Sequence, residues 1–243
     1  MLLRLGPHRH ARLDRRLGYS LAFIAGALNS AGFYSLGFFA SNMTGNFSAG
    51  ANEFALGDVL QGLVYLTLPV SFIAGAILAT LWTEIGIKRG VRRIYAISIL
   101  CEAFLLLVLG VIELMIPAAH GSVLVIGLSV LMGFQNAIAT RISLGRVRTT
   151  HVSGMSTDIG ISIGLLTMMG LQKSDDPERA DHLERLKLHA LTVLAFCIGG
   201  ILGVIAYKAV GAVLLFIASA LLAALALPGL LAGRQPIEAD AQG

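Results

Sequence analysis

Along this chain, long apolar runs alternate with short polar breaks, and the roughly 20 residues a helix needs to cross about 30 Å of hydrocarbon set the yardstick for reading them. Six runs meet it: 17–37, 59–82, 94–116, 122–140, 188–207 and 210–231. Two weaker runs, 44–55 and 153–170, follow the first and the fourth. The pattern predicts an all-α polytopic membrane protein with six transmembrane helices and two short re-entrant or half helices. It forms a single membrane domain over 1–243 with tails at 1–16 and 232–243.

Polar breaks precede both weaker runs. The first is the decapeptide SNMTGNFSAG at 41–50, and the second is RTTHVSG at 148–154. Non-helical backbone at membrane depth is tolerated only where it is buried in protein or lines a cavity. The two glycosylation-type triplets inside the decapeptide, at Asn42 and Asn46, are therefore read as accidental.

The two breaks are related. GALNSAGF, starting at Gly26, aligns with GFQNAIAT, starting at Gly133, so that Asn29 matches Asn136 at an offset of 107. Thr44-Gly45 matches Ser153-Gly154 at an offset of 109, and Gly75 matches Gly199 at 124. The growth from 109 to 124 places an insertion in the charged segment 172–187. The chain thus divides into a first repeat, 17–116, and a second, 122–231.

Charge decides their relative orientation, because cytoplasmic loops retain Lys and Arg. If both weaker runs enter and leave on one side, 17 of the 18 Lys and Arg fall inside and only Lys208 falls outside. If both span, the split is 10 to 8; if only the second spans, 13 to 5. The re-entrant arrangement gives each repeat three crossings, and hence an inverted 3+3 architecture with cytoplasmic termini. This topology accounts for the net charge of +4 without a nucleic-acid partner. The basic start of the chain precedes an apolar run too long for a signal-peptide core, so the first helix is expected to be retained.

In inverted-repeat transporters, discontinuous segments near the midplane form the substrate site. The residues suit that use: Ser41, Asn42, Thr44, Gly45 and Asn46 in the first copy, and Thr149, Thr150, His151, Ser153 and Gly154 in the second. Hydroxyls and amides cap helices, and helix N-termini present free N–H groups. Asn29, Gln135 and Asn136, on the helices before the breaks, either bind solute or satisfy the broken backbone. Asp158, in the first turn of the second weaker run, either handles a proton or simply favours the helix dipole.

Glu102 lies about 13 Å into the third span, where an ionised carboxylate is costly, and the sixth span has no counterpart to it. It is read with Asp158 as a proton-coupling group or, alternatively, as a neutral hydrogen-bonded structural carboxyl. Gly75/Ala79 and Gly199/Gly203 signal close helix packing within the chain or, alternatively, a homodimer face. Asp176 and Pro177 are read as the cap and first residue of a helix that carries the fifth span into the cytoplasm.

With MTGN at 43–46, QNA at 135–137 and TTHVSG at 149–154 in view, the chain resembles the YoaK-type family of bacterial inner-membrane proteins, a domain of unknown function. Ser153 stands where that pattern usually has threonine. The resemblance covers about 17–231 and implies a six-helix inner-membrane protein, with small-molecule efflux as the expected activity.

The function expected is secondary transport or export of a small polar or anionic solute, with the lipid bilayer and that solute as partners. A passive channel is the alternative. An intramembrane enzyme using His151, Ser153 and Asp158, or a structural membrane protein, is less well supported. Cys101 and Cys197 have no metal-type spacing, and there is no P-loop. No metal, cofactor or enzymatic activity is therefore expected.

Overall fold

A computed structural model describes residues 11–116, 121–143, 145–171 and 178–231. The described residues form eight helices: α1 (Ala11–Leu36), α2 (Met43–Leu56), α3 (Val59–Lys88), α4 (Ile94–Met115), α5 (Ser122–Ile142), α6 (Val152–Leu171), α7 (Arg179–Val210) and α8 (Val213–Leu231). No strand occurs among these residues.

Six helices, α3 to α8, are long and apolar enough to cross a membrane. Two points differ from the sequence expectation. α6 is a continuous 20-residue helix, about 30 Å long, rather than a short half helix. α1, the first predicted span, is long enough but too polar to be among the six, because Asn29, Ser30 and Ser35 interrupt its apolar character. The cause is packing: Leu21, Ala22, Ala25 and Leu28 are wholly or almost wholly buried, and a helix enclosed by protein need not be apolar all round. α2, at 14 residues and about 21 Å, is too short to cross. The predicted cap at Asp176 and Pro177 lies outside the described residues; α7 begins at Arg179 and does continue the fifth span through its charged start.

The helices pair across the two sequence repeats. α1 packs on α7, α3 on α5, and α4 on α8, while α2 touches only α3 and α6 only α7. Exchanging each helix for its counterpart, α1 for α5, α2 for α6, α3 for α7 and α4 for α8, leaves this pairing scheme unchanged.

Four glycines set the closest approaches. A methyl group at Gly26 would overlap the Phe196 carbonyl, and one at Gly199 would overlap the Phe23 carbonyl, so α1 and α7 meet backbone to backbone. Gly75 stands in the same relation to the Val130 carbonyl, and Gly133 to the Phe72 carbonyl, at the α3–α5 crossing. Phe72 and Phe196 are equivalent at the offset of 124, as are Phe23 and Val130 at 107. The two crossings are therefore one arrangement used twice. Gly203 lies against Ala27, and Ala79 is fully buried, so these small residues are used within one chain.

Directions follow from the contacts. α1 and α7 run parallel, with Arg15 near Glu184 at 3.6 Å towards their starts and Tyr34 against Tyr207 towards their ends. α3 and α5 are parallel too, closed beyond their crossing by the Arg141–Glu84 ion pair. Its counterpart at the other crossing is Lys208 over the Tyr34 ring at 5.8 Å. α1 and α5 are antiparallel, since Gly32 lies near Leu128 while Gly18 meets Val147 beyond the end of α5. α4 and α8 are likewise antiparallel: Gly110 faces Leu215, the Ser219 hydroxyl donates to the Ala103 carbonyl at 2.6 Å, and Arg93 donates to the Leu230 carbonyl.

A test follows from the glycines. Gly26→Ala and Gly133→Ala should each destabilise the detergent-solubilised protein by about 1–3 kcal/mol, because the added methyl must push two backbones apart. Gly164→Ala, which has open space around it, should be neutral or stabilising by up to about 1 kcal/mol. Thermal unfolding of the three variants checks the contrast.

Candidate functional site

The first polar segment begins where Gly37, at φ 77°, ends α1. The chain then doubles back along that helix. Both the backbone N–H and the hydroxyl of Ser41 donate to Asn29 Oδ1 at 2.9 Å, and Asn29 lies seven residues, about 10 Å, before the end of α1. Asn46 donates from Nδ2 to the Phe39 carbonyl at 3.0 Å, and Ser129 of α5 donates to the Ala40 carbonyl at 2.9 Å. Asn42 caps α2 by accepting from the Gly45 N–H at 3.1 Å, and its carboxamide lies where a side chain on Gly45 would be. Thr44 is exposed on the first turn of α2. The Phe33 and Phe39 rings stack at 4.0 Å over the reversal. Buried polar backbone in this segment thus finds partners in its own helix and in α5, as burial requires.

The second segment uses equivalent residues differently. Ser143 Oγ accepts from the Val147 N–H at 2.8 Å, and Gly145, at φ 83°, makes the turn. The Thr149 hydroxyl is fully buried without a hydrogen-bond partner, and Asn136 Oδ1, counterpart of the acceptor that holds Ser41, is also buried without one. Thr150 is half-buried. His151 occupies the position of Asn42, its ring lying over Gly154 as Asn42 lies over Gly45. The His151 ring turns Nδ1 to Arg148 Nη1 at 3.2 Å. Ser153 is exposed, and its carbonyl accepts from the Thr157 hydroxyl at 3.3 Å. Asp158 Oδ2 lies 3.8 Å from Nδ1 of His189 on α7. A cavity of about 430 Å³ opens here, with Arg146, Arg148, His151, Gly154, Asp158 and His189 in its wall.

In the helix core, at the α4–α5 interface, lies a third polar group. Glu102 of α4 and Gln135 of α5 are each 1% exposed. The Gln135 carboxamide is beside the Glu102 carboxyl, yet neither side chain forms a well-made hydrogen bond. Glu102 does face the interior of the bundle.

The structure therefore brings Asn29, Ser41, Asn42 and Asn46 together, and separately gathers His151, Gly154 and Asp158 around the cavity. It does not join the two sets: α2 and α6 make no contact, and no hydrogen bond among the described residues links 41–46 to 149–154. His151, Ser153 and Asp158 do not form a nucleophile–base chain either, because His151 faces Arg148 and Asp158 faces His189. Sequence reasoning missed Ser129, Arg146, Arg148 and His189. The arginines registered only as topology signals; the polar Ser129 within an apolar span was the one visible cue.

Helices of this length and apolarity define a multi-pass α-helical membrane protein. The family described as "Protein of unknown function (DUF1275)" matches residues 17–227, and the chain belongs to it. It is similar to the UPF0700 transmembrane protein YoaK of Bacillus subtilis (strain 168), with 27% identity over 185 residues, 75% of this chain and 79% of that protein. The resemblance read from the sequence motifs is confirmed at family level. No solved structure matches the chain.

The unequal segments can be tested by stability. Asn29→Ala leaves the buried Ser41 groups without an acceptor and should cost about 1–3 kcal/mol. Asn136→Ala, at the equivalent position, removes an oxygen that has no partner and should cost less than half as much. Equal losses in thermal unfolding would contradict the asymmetry.

Proposed function

We propose that the chain is a secondary transporter or exporter of a small polar or anionic solute in the bacterial inner membrane. It is built as an inverted 3+3 repeat with cytoplasmic termini. The observation that carries this reading is the difference between two equivalent polar segments. The first is latched shut through Asn29 and Ser41; the second leaves Asn136 and Thr149 unpartnered and borders a cavity. Two copies of one device in opposite conditions are what an alternating-access carrier requires. A scaffold needs neither.

Inversion is supported by the antiparallel course of the equivalent helices α1 and α5, and α4 and α8. Re-entry of the first segment is supported by the return of Ser41 to the level of Asn29 and by the shortness of α2. α6 follows the same plan. Asp158 stands beside His189, so the remainder of α6 runs back along the charged start of α7, and its length lies partly outside the hydrocarbon. The solute contacts Asn29, Ser41, Asn42, Thr44, Gly45 and Asn46 when the first segment opens. It contacts Gln135, Asn136, Thr149, Thr150, His151, Ser153 and Gly154 when the second does.

Glu102, buried beside Gln135 in the α4–α5 interface, carries the coupling proton, and Asp158 is the second proton-handling group. An ionised carboxylate buried without a counter-charge is costly, so a move that brings Glu102 to water also lets it exchange its proton. This is carrier chemistry, with no covalent step.

Two measurements test the reading. Reporter fusions after Arg93 and after His120 should report opposite sides of the membrane, the first cytoplasmic; the same side for both would remove the inversion. Proteoliposomes given a pH gradient should accumulate at least one of a panel of labelled small polar and anionic solutes. Glu102→Gln should keep solute exchange while losing about tenfold or more of the gradient-driven accumulation. A passive channel would only equilibrate the solute, and undiminished accumulation in the variant would exclude Glu102 from coupling.

A further inference from the structure

The cavity beside α6 has a chemistry narrower than that of a general polar site. Arg146 and Arg148 enter its wall from the loop after α5, His151 stands at the start of α6, and His189 comes from α7. Arginine is only a donor, so the contact of 3.2 Å makes Nδ1 of a neutral His151 ring the acceptor. The ring's Nε2–H is left as a donor. This spends the only acceptor that the capping position offers.

In the first repeat, Asn42 places an oxygen on the Gly45 N–H. In the second, Gly154 receives no such bond, because His151 has turned to Arg148. The N-terminal amides of α6 are therefore uncapped, at the positive end of a 20-residue helix. His189 Nδ1 adds a buried nitrogen without a hydrogen-bond partner in the same wall. Asp158, 3.8 Å from that nitrogen, is the one carboxylate lining the cavity and opposes an anion there. Against it stand two guanidinium groups, a donor imidazole and the helix end.

We propose that this cavity binds a small oxyanion, a phosphate or carboxylate group. Arg148 and His151 Nε2 contact its oxygens directly, and the first amides of α6 complete the cradle. The proposal rests on the transport reading only in taking this group as part of the solute; the binding itself stands apart. The same chemistry would accept the phosphate of a lipid headgroup, since the cavity opens beside membrane-crossing helices.

The test is equilibrium binding of labelled inorganic phosphate to the purified full chain in nanodiscs of phosphatidylcholine or of phosphatidylglycerol. The expected result is saturable binding in phosphatidylcholine, weakened about tenfold or more by Arg148→Gln, less by Arg148→Lys and by His151→Gln, and unchanged by Arg92→Gln. Equal binding in both lipids identifies a free anion as the occupant. Binding lost only in phosphatidylglycerol identifies an anionic lipid headgroup, whose phosphate no choline neutralises. Thermal unfolding without phosphate, matched to the parent, shows that each variant is folded. No saturable binding in phosphatidylcholine, or Arg148→Gln binding as the parent does, overturns the proposal. Phosphate binding without transport of any solute would leave the site standing and remove the transporter; transport without phosphate binding would do the reverse.

Discussion

Everything in this fold hangs on two places where helix backbones touch. At Gly26/Gly199 and Gly75/Gly133 the missing side chains let α1 meet α7, and α3 meet α5, with each carbonyl lodged where a methyl group would otherwise lie. Lipid tails are as apolar as leucine, so the hydrophobic effect does not hold helices together inside a membrane. Close packing does, and it needs small residues at the crossing. Both crossings join a helix of the first four to a helix of the last four. Neither half of the chain can therefore form its core alone.

That constraint also explains how polar groups survive inside. α1 is drawn against α7, and α3 against α5, which leaves α1, α5, α4 and α8 to enclose the centre. The first polar segment lies between α1 and α5 and draws hydrogen bonds from both, through Asn29 and Ser129. The second lies against α1 through Val147 and Gly18. Each segment thus touches the helix that the other repeat supplies, so a shift at either crossing reaches both. The Glu102–Gln135 pair sits in the α4–α5 interface, within the same enclosure.

Much of this was legible in the residues. Five of the spans, those on α3, α4, α5, α7 and α8, are announced by length and apolarity alone, and the offset of 124 that matches Gly75 to Gly199 falls on two glycines that both sit at backbone crossings. α6 was read at nearly its full extent, 153–170, but as a half helix, because Ser153, Thr157 and Asp158 dilute its apolar start, although each fits a helix's exposed first turns. Which helix packs on which could not be read, because helices apolar on every side show no preferred face. The difference between the polar segments was hidden for a deeper reason. Asn29 and Asn136 are the same residue at aligned positions, and tertiary placement decides that one is partnered and the other is not. The cavity escaped notice because Arg148 and His189 come from elements whose proximity no spacing discloses.

The central claim is that two equivalent latches hold opposite states and exchange them. One measurement addresses it directly. In a chain whose Cys101 and Cys197 are replaced by alanine, Asn29→Cys with Ser41→Cys forms one pair, and Asn136→Cys with Thr150→Cys forms the other. All four are placed in one molecule in native membranes, treated with oxidant or a short bifunctional linker, and the products are mapped by mass spectrometry. The account predicts that both links appear in the population and that each molecule carries one or the other. Molecules carrying both links, or a second link that never forms, would contradict it.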